Sequence, residues 1–347
     1  MTREAGNNGR ESMSKRSGYL VAAFTVAMAI FSASAPAQQR PALTLGLPGI
    51  PPVFVSVQAY VAQQEKFFEK HGVNVTLRPF DSGAAAARAL ASGDIALSLS
   101  PSPLLINMLS NNPNLDLVAI YGHEKPDWLI GSLDPTKTKC ADMKGLPVGV
   151  DSLGGARSIA LAQMLRKCGL KPDDMQQVAL SANVHAAMIS GQIPIGVLHI
   201  DDVPIIERES KKKIITVVDI NDVQKINHYM SIATTQKRVS ENRDAFVRVL
   251  AALIEAERFI RDPKNAEKVA QAASATGRSR DEAKWAITEY VKLEFWPKSS
   301  AGLAQKNIEA VIEAQKRVGG IRADATPVAY GRFANTGLYE DALKLVK

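Results

Sequence analysis

The chain contains 347 residues, of which 46% are hydrophobic and 22% are charged. This composition is typical of a globular protein and excludes intrinsic disorder, collagen and coiled coil. Lys and Arg number 42 against 35 Asp and Glu, for a formal net charge of +7, but the excess is dispersed along the sequence. We therefore expect ordinary solvated helix faces and predict no nucleic-acid partner.

The N-terminus has the pattern of a secretory signal peptide. Lys15 and Arg16 precede the short apolar run 18–31. The Ala-Pro-Ala at 35–37 then places small residues at the two positions that a signal peptidase recognises. The apolar run is too short to span a bilayer. We predict that residues 1–37 are a cleaved signal peptide and that the mature protein is exported to the periplasm.

Short β-type runs alternate with amphipathic helices in the first part of the chain. Strands are predicted at residues 43–47, 73–80, 95–99 and 115–121, with helices at 53–71, at 83–92 and after Pro103. Gly72 ends the first helix, and Asp81 and Ser82 cap the second. This order of elements predicts an α/β sheet whose strands are mostly parallel.

The same pattern of elements then recurs. Residues 147–150 match the first strand, and the helix 156–168 stops at Gly169 just as the earlier helix stops at Gly72. The segment ALASGDI at 89–95 also aligns with AMISGQI at 187–193. Two copies of one unit predict two similar lobes.

After residue 219 the sequence gives one more predicted strand, at 229–234, and then long helices at 240–261, 263–275, 280–293 and 302–317. We predict lobe 1 at residues 38–123, lobe 2 at 124–223, and a return strand with C-terminal helices at 224–347 that pack on lobe 1. The chain then crosses between the lobes twice, which suits a hinge.

Ligands of open α/β sheets bind beyond the carboxyl ends of the strands. Loops rich in Gly, Ser and Pro follow these ends in both predicted lobes, at 49–52, 82–83, 98–102, 151–157 and 181–183. Several lead into helix starts, where free N–H groups and the helix dipole favour an anionic or strongly polar ligand. Any one loop is explained as an ordinary turn or cap, but five on the same side favour a binding cleft.

Four segments carry a family resemblance: AYVAQQEKFFEKHGVNVTL at 59–77, SGAAAARALASGDIALSLS at 82–100, MKGLPVGV at 143–150 and AFVRVLAALIEAERFI at 245–260. With the exported, two-lobed pattern they resemble the substrate-binding proteins of bacterial ABC importers in the nitrate, sulfonate, bicarbonate and thiamine-precursor group. The resemblance implies a type II periplasmic binding protein fold: two duplicated α/β lobes, a hinge of two crossovers and extra C-terminal helices. It also implies that hinge closure captures a small solute, which passes to a membrane permease driven by an ATPase.

The resemblance implies ligand contacts from both lobes. They are Gly49, Ile50, Pro51, Ser82, Gly83, Ser100 and Ser102 in lobe 1, and Gly154, Gly155, Arg157, His199 and Asp201 in lobe 2. The chain departs from the family pattern at Ala96 and Pro194, where members often carry an Asp, and at the LHIDD stretch 198–202. These departures prevent the transfer of a particular solute, although not of the fold.

Each of three side chains near the predicted cleft has two possible roles. Arg157, the only cation at its helix start, would pair with a carboxylate, sulfonate or phosphate, or else form a local ion pair. His199, at a strand end that faces the cleft, would contact the ligand or have an ordinary structural role. Trp128 follows the first crossing, where packing of the hinge is favoured over stacking on a ligand.

Cys140 and Cys168 are the only cysteines of the chain. Cys140 lies shortly before the first strand of lobe 2, and Cys168 ends the helix that follows this strand. A helix that runs back along its strand returns its end to the start of the strand, so both thiols belong at the base of lobe 2. We hypothesise that they form a disulfide in an oxidising compartment.

The sequence contains no pattern of an enzyme site. Lobe 1 has no cysteine nucleophile, the five histidines have no metal-ligand spacing, and neither a P-loop nor a G-x-S-x-G elbow occurs. We predict a monomeric, non-catalytic protein without cofactor or metal that binds a sulfonate, nitrate, carboxylate or thiamine-precursor type of solute. Two alternatives stay open: an enzyme of the same fold that acts on a small sulfur or pyrimidine compound, and a periplasmic sensor subunit.

Overall fold

A computed structural model of the protein describes residues 40–181, 183–223 and 228–346. The predicted signal peptide at 1–37 lies outside the described residues. Within the described ranges, no helix is both long and apolar enough to cross a bilayer.

The described residues form ten strands. They are β1 (Ala42–Pro48), β2 (Asn74–Phe80), β3 (Leu97–Pro101), β4 (Leu117–His123), β5 (Trp128–Ser132), β6 (Pro147–Val150), β7 (Gln176–Ala179), β8 (Ile195–His199), β9 (Ile215–Asp219) and β10 (Met230–Thr235). The first five-stranded sheet has the order β2, β1, β3, β10, β4, and the second has the order β7, β6, β8, β5, β9. Each sheet with the helices packed on it is called a lobe below, the first lobe carrying β1.

The two sheets have corresponding strand orders, which confirms the duplication predicted from the sequence repeat. In each sheet the first three strands pair in parallel, β1 with β2 and β3, and β6 with β7 and β8. The fourth strand, β10 or β5, runs antiparallel to both of its neighbours. The sheets are therefore mixed, but four of the five strands in each run in the same direction, so the prediction of mostly parallel strands is confirmed and its exception is one antiparallel strand in each sheet. The reason is that each antiparallel strand is the first one after the chain crosses from the other sheet, so it enters from the opposite direction.

The α-helices are α1 (Val57–Gln64), α2 (Phe67–Lys70), α3 (Gly83–Ser92), α4 (Ser102–Asn111), α5 (Ala156–Leu165), α6 (Val184–Ile189), α7 (Asp202–Ser210), α8 (Ile220–Val223), α9 (Gln236–Glu241), α10 (Arg243–Arg261), α11 (Ala266–Ala273), α12 (Arg280–Lys292), α13 (Gln305–Arg317), α14 (Tyr330–Phe333) and α15 (Gly337–Leu343). The single helix predicted at 53–71 is divided, because Lys66 adopts a left-handed conformation with φ 59° between α1 and α2. After this break Phe68 is buried, and Phe67 packs edge-on against Phe259.

The long helix α10 lies at the centre of the first lobe. It packs against α1, α2, α11 and α15, and it buries Phe246, Leu250 and Leu253 completely or nearly so. Burial of each such side chain stabilises the fold by about 1.5–3 kcal/mol. Most late helices therefore cover the first lobe, but the turn before α12 reaches the second lobe through Arg278.

A disulfide joins Cys140 and Cys168, with Sγ atoms 2.10 Å apart and Cα atoms 5.0 Å apart. Cys140 opens a 3-10 turn before β6, and Cys168 ends the 3-10 turn that continues α5. The disulfide thus connects the segment before β6 with the C-terminal end of α5. The other end of α5, at Ala156 and Arg157, is the one that reaches the site.

Candidate functional site

A small cavity lies between the two lobes, with a volume of about 20 Å³, enough for one water-sized group. Its lining comes from both lobes and consists of Pro48, Gly49, Val53, Asp81, Ser82, Gly83, Pro101, Trp128, Asp151, Ala156, Arg157, Ser181, His199, Tyr229 and Met230. The Ser181 hydroxyl donates a hydrogen bond across the cleft to the backbone oxygen of Asp81, at 2.9 Å. The cleft is therefore closed in this structure.

In the first lobe, the start of α3 contributes Ser82 and Gly83 to the cavity lining. Ser82 is its N-cap, with extended backbone and an Oγ that accepts a hydrogen bond from the Ala85 N–H at 3.2 Å. A Cβ on Gly83 would lie 2.6 Å from Cδ of Pro101, so only glycine lets the helix start approach β3 this closely. Gly49, with φ 93°, turns the chain after β1, and its N–H donates to the Phe80 oxygen at 2.7 Å.

Asp151 occupies the start of α5 in the second lobe. Its Oδ2 accepts a hydrogen bond from the N–H of Ala156, and its Oδ1 accepts one from the N–H of Arg157, both at 3.0 Å. Gly154, with φ 72°, turns the loop, and a Cβ on Gly155 would lie 2.7 Å from the Asp151 carboxylate. The N–H groups expected to bind an anionic ligand are thus bonded to a carboxylate of the chain itself.

Arg157 extends from α5 into the floor of the cavity. Its Nη1 donates to the backbone oxygen of Val197 and lies 3.2 Å from Oδ2 of Asp202, and both charged side chains are buried. Its guanidinium carbon lies 5.3 Å from the centre of the Trp128 ring. Of the two interpretations of Arg157, the local ion pair is the one that the structure contains.

A buried network of charges supports this floor from below. Arg278 donates from Nε to Oδ2 of Asp201 and from Nη2 to Oδ1 of Asp202, both at 2.9 Å. Burial alone would raise the pKa of Asp202, but the charges of Arg157 and Arg278 outweigh it and hold that pKa well below its usual range. The Tyr290 hydroxyl lies 2.9 Å from Oδ1 of Asp201, and burial followed by the nearby aspartates raises its pKa well above the usual value. The network joins α12 of the C-terminal region to the second lobe.

His199 ends β8 at the cavity. Its Nδ1 lies 2.8 Å from Oδ2 of Asp127, which also accepts a hydrogen bond from Tyr290. This contact engages Nδ1, so Nε2 is the ring nitrogen left for a ligand. The imidazole stacks on Trp128 with the ring centres 3.7 Å apart. Both side chains line the cavity, and each also has a structural contact.

Asp127, His199 and Asp201 are the one group of described residues whose ligand atoms, within 4.8 Å of one another, could hold a metal ion. His199 is already bonded to Asp127, and Asp201 is bonded to the Arg278 guanidinium. Since a metal would have to displace this positive charge, hydrogen bonds and ion pairs account for the group, and we assign no metal to it.

Ser100 and Ser102 lie behind the cavity lining, and both are completely buried. The Ser100 hydroxyl donates to the backbone oxygen of Gly83 at 3.0 Å and so holds the start of α3. The Ser102 hydroxyl lies 2.7 Å from Nδ1 of His228. Neither serine lines the cavity, and internal hydrogen bonds engage both hydroxyls, so their contact with a ligand stays a prediction.

The remaining predicted residues divide into two groups. The cavity lining brings together six of them: Gly49, Ser82, Gly83, Trp128, Arg157 and His199. Five others lie outside it: Ile50, Pro51 and Gly154 are exposed, Gly155 is buried as the N-cap of α5, and Asp201 is in the buried network.

Sequence reasoning missed several residues of the site. Asp81, Asp151 and Ser181 fall in or beside loops that the sequence singled out, so their position was detectable although their role was not. Asp202 ends the LHIDD stretch that the sequence singled out, but Asp127, Arg278 and Tyr290 gave no local signal, because their partners are distant in the chain.

The family model described as NMT1/THI5 like matches residues 54–266, more than half of the chain. The chain belongs to the NMT1/THI5-like family. This match confirms the resemblance found in the sequence. No curated protein sequence matches the chain significantly.

Solved structures show the fold of this NMT1/THI5-like chain. A protein from Bordetella bronchiseptica RB50 superposes with a TM-score of 0.75 at 19% identity, covering 88% of this chain and 98% of that one. The ligand-binding component of an ABC-type import system from Staphylococcus aureus gives 0.69 at 14% identity, covering 87% and 99%. The periplasmic aliphatic sulphonate binding protein SsuA from Escherichia coli gives 0.63 at 20% identity, covering 86% and 99%. At these identities the likeness shows the fold alone, and it confirms the predicted periplasmic binding protein fold.

Proposed function

We propose that this protein is the periplasmic solute-binding component of an ABC importer. It captures a small solute between its lobes and delivers it to a membrane permease that is driven by an ATPase. The observation that carries this proposal is the cavity between two duplicated lobes, lined by residues of both, in a chain of the NMT1/THI5-like family. The S. aureus and E. coli relatives, described as an import component and a sulphonate binding protein, support it.

The position of the cavity fits solute capture. Gly49 follows β1, Asp81 follows β2 and Pro101 ends β3, whereas Asp151 follows β6 and His199 ends β8. The carboxyl ends of the parallel strands in both lobes therefore meet at the cavity, which is where ligands of open α/β sheets bind.

Entry of a solute requires the lobes to separate, because a cavity of about 20 Å³ holds only one water-sized group. The chain changes sheet between β4 and β5 and again between β9 and β10, and we take these two connections as the hinge. The domains are lobe 1 at 38–123, lobe 2 at 124–223 and the return segment at 224–347. Of the predicted ligand contacts, we retain Gly49, Ser82, Gly83, Arg157 and His199.

The protein is a carrier and not an enzyme. Among the described residues of the lining, Ser82 uses its hydroxyl oxygen to cap α3, and Ser181 donates to a backbone oxygen. The lining histidine, His199, is bonded to Asp127 and not to either serine. Nucleophilic catalysis needs a nucleophile paired with a base, and these contacts do not supply such a pair. The carrier acts as a monomer in the periplasm, after removal of residues 1–37.

A stability screen of the protein purified from the periplasm tests this function. Nitrate, bicarbonate, alkyl and aryl sulfonates, aromatic carboxylates, pyrimidines and small amines are added after bound solute has been removed by partial unfolding and dialysis. A solute at a hundred times its Kd stabilises the folded state by about 2.7 kcal/mol, which raises Tm by several degrees. A clear rise with one class, and recovery of the compound unchanged, is the expected result. Consumption of the compound would favour the enzyme alternative, and a Tm that no class raises would contradict solute capture.

A further inference from the structure

Arg278 lies in a turn that is fixed to the first lobe. The turn follows α11, which packs against α1, and it contains the buried Thr276. Gly277 turns the chain with φ 78°, and a Cβ on it would lie 3.2 Å from Cγ of Pro51, in the loop after β1. The backbone that carries Arg278 therefore belongs to the first lobe.

The guanidinium of Arg278 reaches the second lobe. Its partners, Asp201 and Asp202, lie at the start of α7, shortly after β8. Nε and Nη2 donate to Oδ2 of Asp201 at 2.9 Å and 2.5 Å, and Nη2 also donates to Oδ1 of Asp202 at 2.9 Å. The Arg278 side chain is only 8% exposed, and both aspartates are buried. Arg278 thus forms a buried ion pair between the two lobes.

This ion pair is separate from the two chain connections between the lobes. The chain changes sheet between β4 and β5 and between β9 and β10, whereas Arg278 lies after both connections. If the lobes separate, the start of α7 moves away from the loop after β1, and the guanidinium has to leave the two carboxylates. The ion pair therefore exists only while the lobes are closed.

The attraction within this ion pair exceeds the cost of burying it. Burial alone would raise the pKa of Asp202, but the charges of Arg157 and Arg278 hold that pKa well below its usual range. Hydrogen bonds to charged groups contribute more to stability than those between neutral groups. The contact of Arg278 with the second lobe therefore favours the closed arrangement of the lobes over the open one.

We propose that Arg278 is a positioning residue that latches the two lobes, and that its ion pair with Asp201 and Asp202 maintains a closed population of the protein even without solute. The proposal rests on the proposed function, because it takes separation of the lobes as the step that admits a solute. Arg278 is not among the described residues that line the cavity, so it acts on a solute only through the position of the lobes. A larger closed population lowers the apparent Kd of every solute by the same factor.

Pulsed electron paramagnetic resonance on the solute-free protein tests the latch. Spin labels are attached at Arg88→Cys in α3 and Ala186→Cys in α6, which are exposed positions on corresponding helices of the two lobes. The full chain is purified from the periplasm and freed of bound solute by partial unfolding and dialysis. We expect a fraction with a short distance beside a fraction with a longer one. In Arg278→Gln the ratio of the short-distance to the long-distance fraction should fall about tenfold or more.

Two further variants separate a latch from a general loss of structure. Arg278→Lys keeps the charge but not the planar fork of the guanidinium, so its ratio should lie between those of the wild-type protein and Arg278→Gln. Arg208→Gln is the matched control, because it removes an exposed ion pair between α7 and α12, with Glu282, and should change the ratio less than about twofold. Circular dichroism confirms that each variant is folded. If Arg278→Gln does not fold, Arg278→Lys decides, and a ratio equal to that of the wild-type protein contradicts the latch.

The outcomes keep the latch apart from solute capture. A wild-type protein without a short-distance fraction, or an equal ratio in the wild-type protein and folded Arg278→Gln, would overturn the latch. Either result leaves the proposed function intact, because solute capture is tested by the Tm of the wild-type protein in the stability screen. A Tm that no class of solute raises contradicts the proposed function, whatever the distances show about Arg278.

Discussion

Oδ2 of Asp202 lies 3.2 Å from Nη1 of Arg157, and both side chains are buried beneath the interlobe cavity. This pair decides what Arg157 does. A free guanidinium at the start of α5 would bind an anionic solute, whereas a paired one holds α5 against β8 and the Trp128 ring. The same aspartate accepts a hydrogen bond from Arg278, so one carboxylate links the cavity floor to the segment before α12.

Removal of the buried negative charge of Asp202 should strongly destabilise the folded protein. Asp202→Asn leaves Arg157 and Arg278 buried with too little negative charge, and we expect a loss of about 3–5 kcal/mol in the free energy of unfolding. Urea denaturation measures the loss. The matched control is Asp222→Asn, whose exposed carboxylate lies 3.1 Å from Lys167 and should contribute less than about 1 kcal/mol. Similar small losses in both variants would contradict a structural role for Asp202.

Two buried histidines should make stability fall in mild acid. Burial, with the nearby His228, lowers the pKa of His123 to about 3, and burial lowers the pKa of His228 to about 4. Burial is what keeps His228 neutral, since the hydrogen bond from its Nε2 to the Gly302 oxygen, at 2.6 Å, by itself raises the pKa.

Below the unfolded pKa of about 6.5, the unfolded chain binds protons that the folded chain excludes, so stability is lost as the pH falls from about 6.5 towards the folded pKa. At pH 5 the loss is about 2 kcal/mol for each histidine. Urea unfolding at pH 7.5 and pH 5 should show this decrease, and the decrease should be about 2 kcal/mol smaller in His123→Gln. An identical pH dependence in the variant would show that His123 is not the group responsible.

The disulfide should stabilise the second lobe. Cys140 and Cys168 are separated by 28 positions, and closing a loop of this length is worth about 3–4 kcal/mol in the chain-entropy model. The double variant Cys140→Ser/Cys168→Ser should lose this amount in urea unfolding under oxidising conditions. Reduction of the wild-type protein should reproduce the loss, and the double variant should not respond to the reductant. Equal stability of the oxidised and reduced wild-type protein would contradict the prediction.

Gly83 should matter for solute binding because of its close approach to β3. In Gly83→Ala the new Cβ lies 2.6 Å from Cδ of Pro101, and both residues line the cavity. We expect the start of α3 to shift, with affinity for the solute reduced about tenfold or more and stability lowered by about 1–3 kcal/mol. Gly331→Ala is the control, since its Cβ would meet nothing within 4 Å. Unchanged affinity in Gly83→Ala would show that α3 does not define the site.

Much of the fold could be predicted because its signals are local. The cap at Ser82 and the left-handed glycines at Gly72 and Gly169 mark helix ends where the sequence placed them. The repeat around Gly93 and Gly191 identified the two lobes, and both glycines have positive φ at matching helix ends. The antiparallel entry of β5 and β10 was not predictable, since strand direction depends on how the chain crosses between sheets.

The contacts of the candidate site are less predictable from sequence, because hydrogen bonds between distant residues determine them. Ser100 and Ser102 have the composition of a ligand loop, but their hydroxyls bond to Gly83 and His228. Arg157 stands at a helix start, but its partner Asp202 lies 45 positions away. No local pattern distinguishes a cation that faces a ligand from one that is already paired.

Closure of the two lobes on a solute is the central claim, and a distance across the cleft tests it directly. Spin labels are attached at Ile50→Cys and Leu153→Cys, whose native side chains are 54% and 71% exposed and lie in loops beside the cavity-lining Gly49 and Asp151. The distance between the labels is measured by pulsed electron paramagnetic resonance, without solute and with a saturating solute from the stability screen. We expect longer, broader distances without solute and a single short distance with it. A distribution that a bound solute leaves unchanged would contradict capture by closure of the lobes.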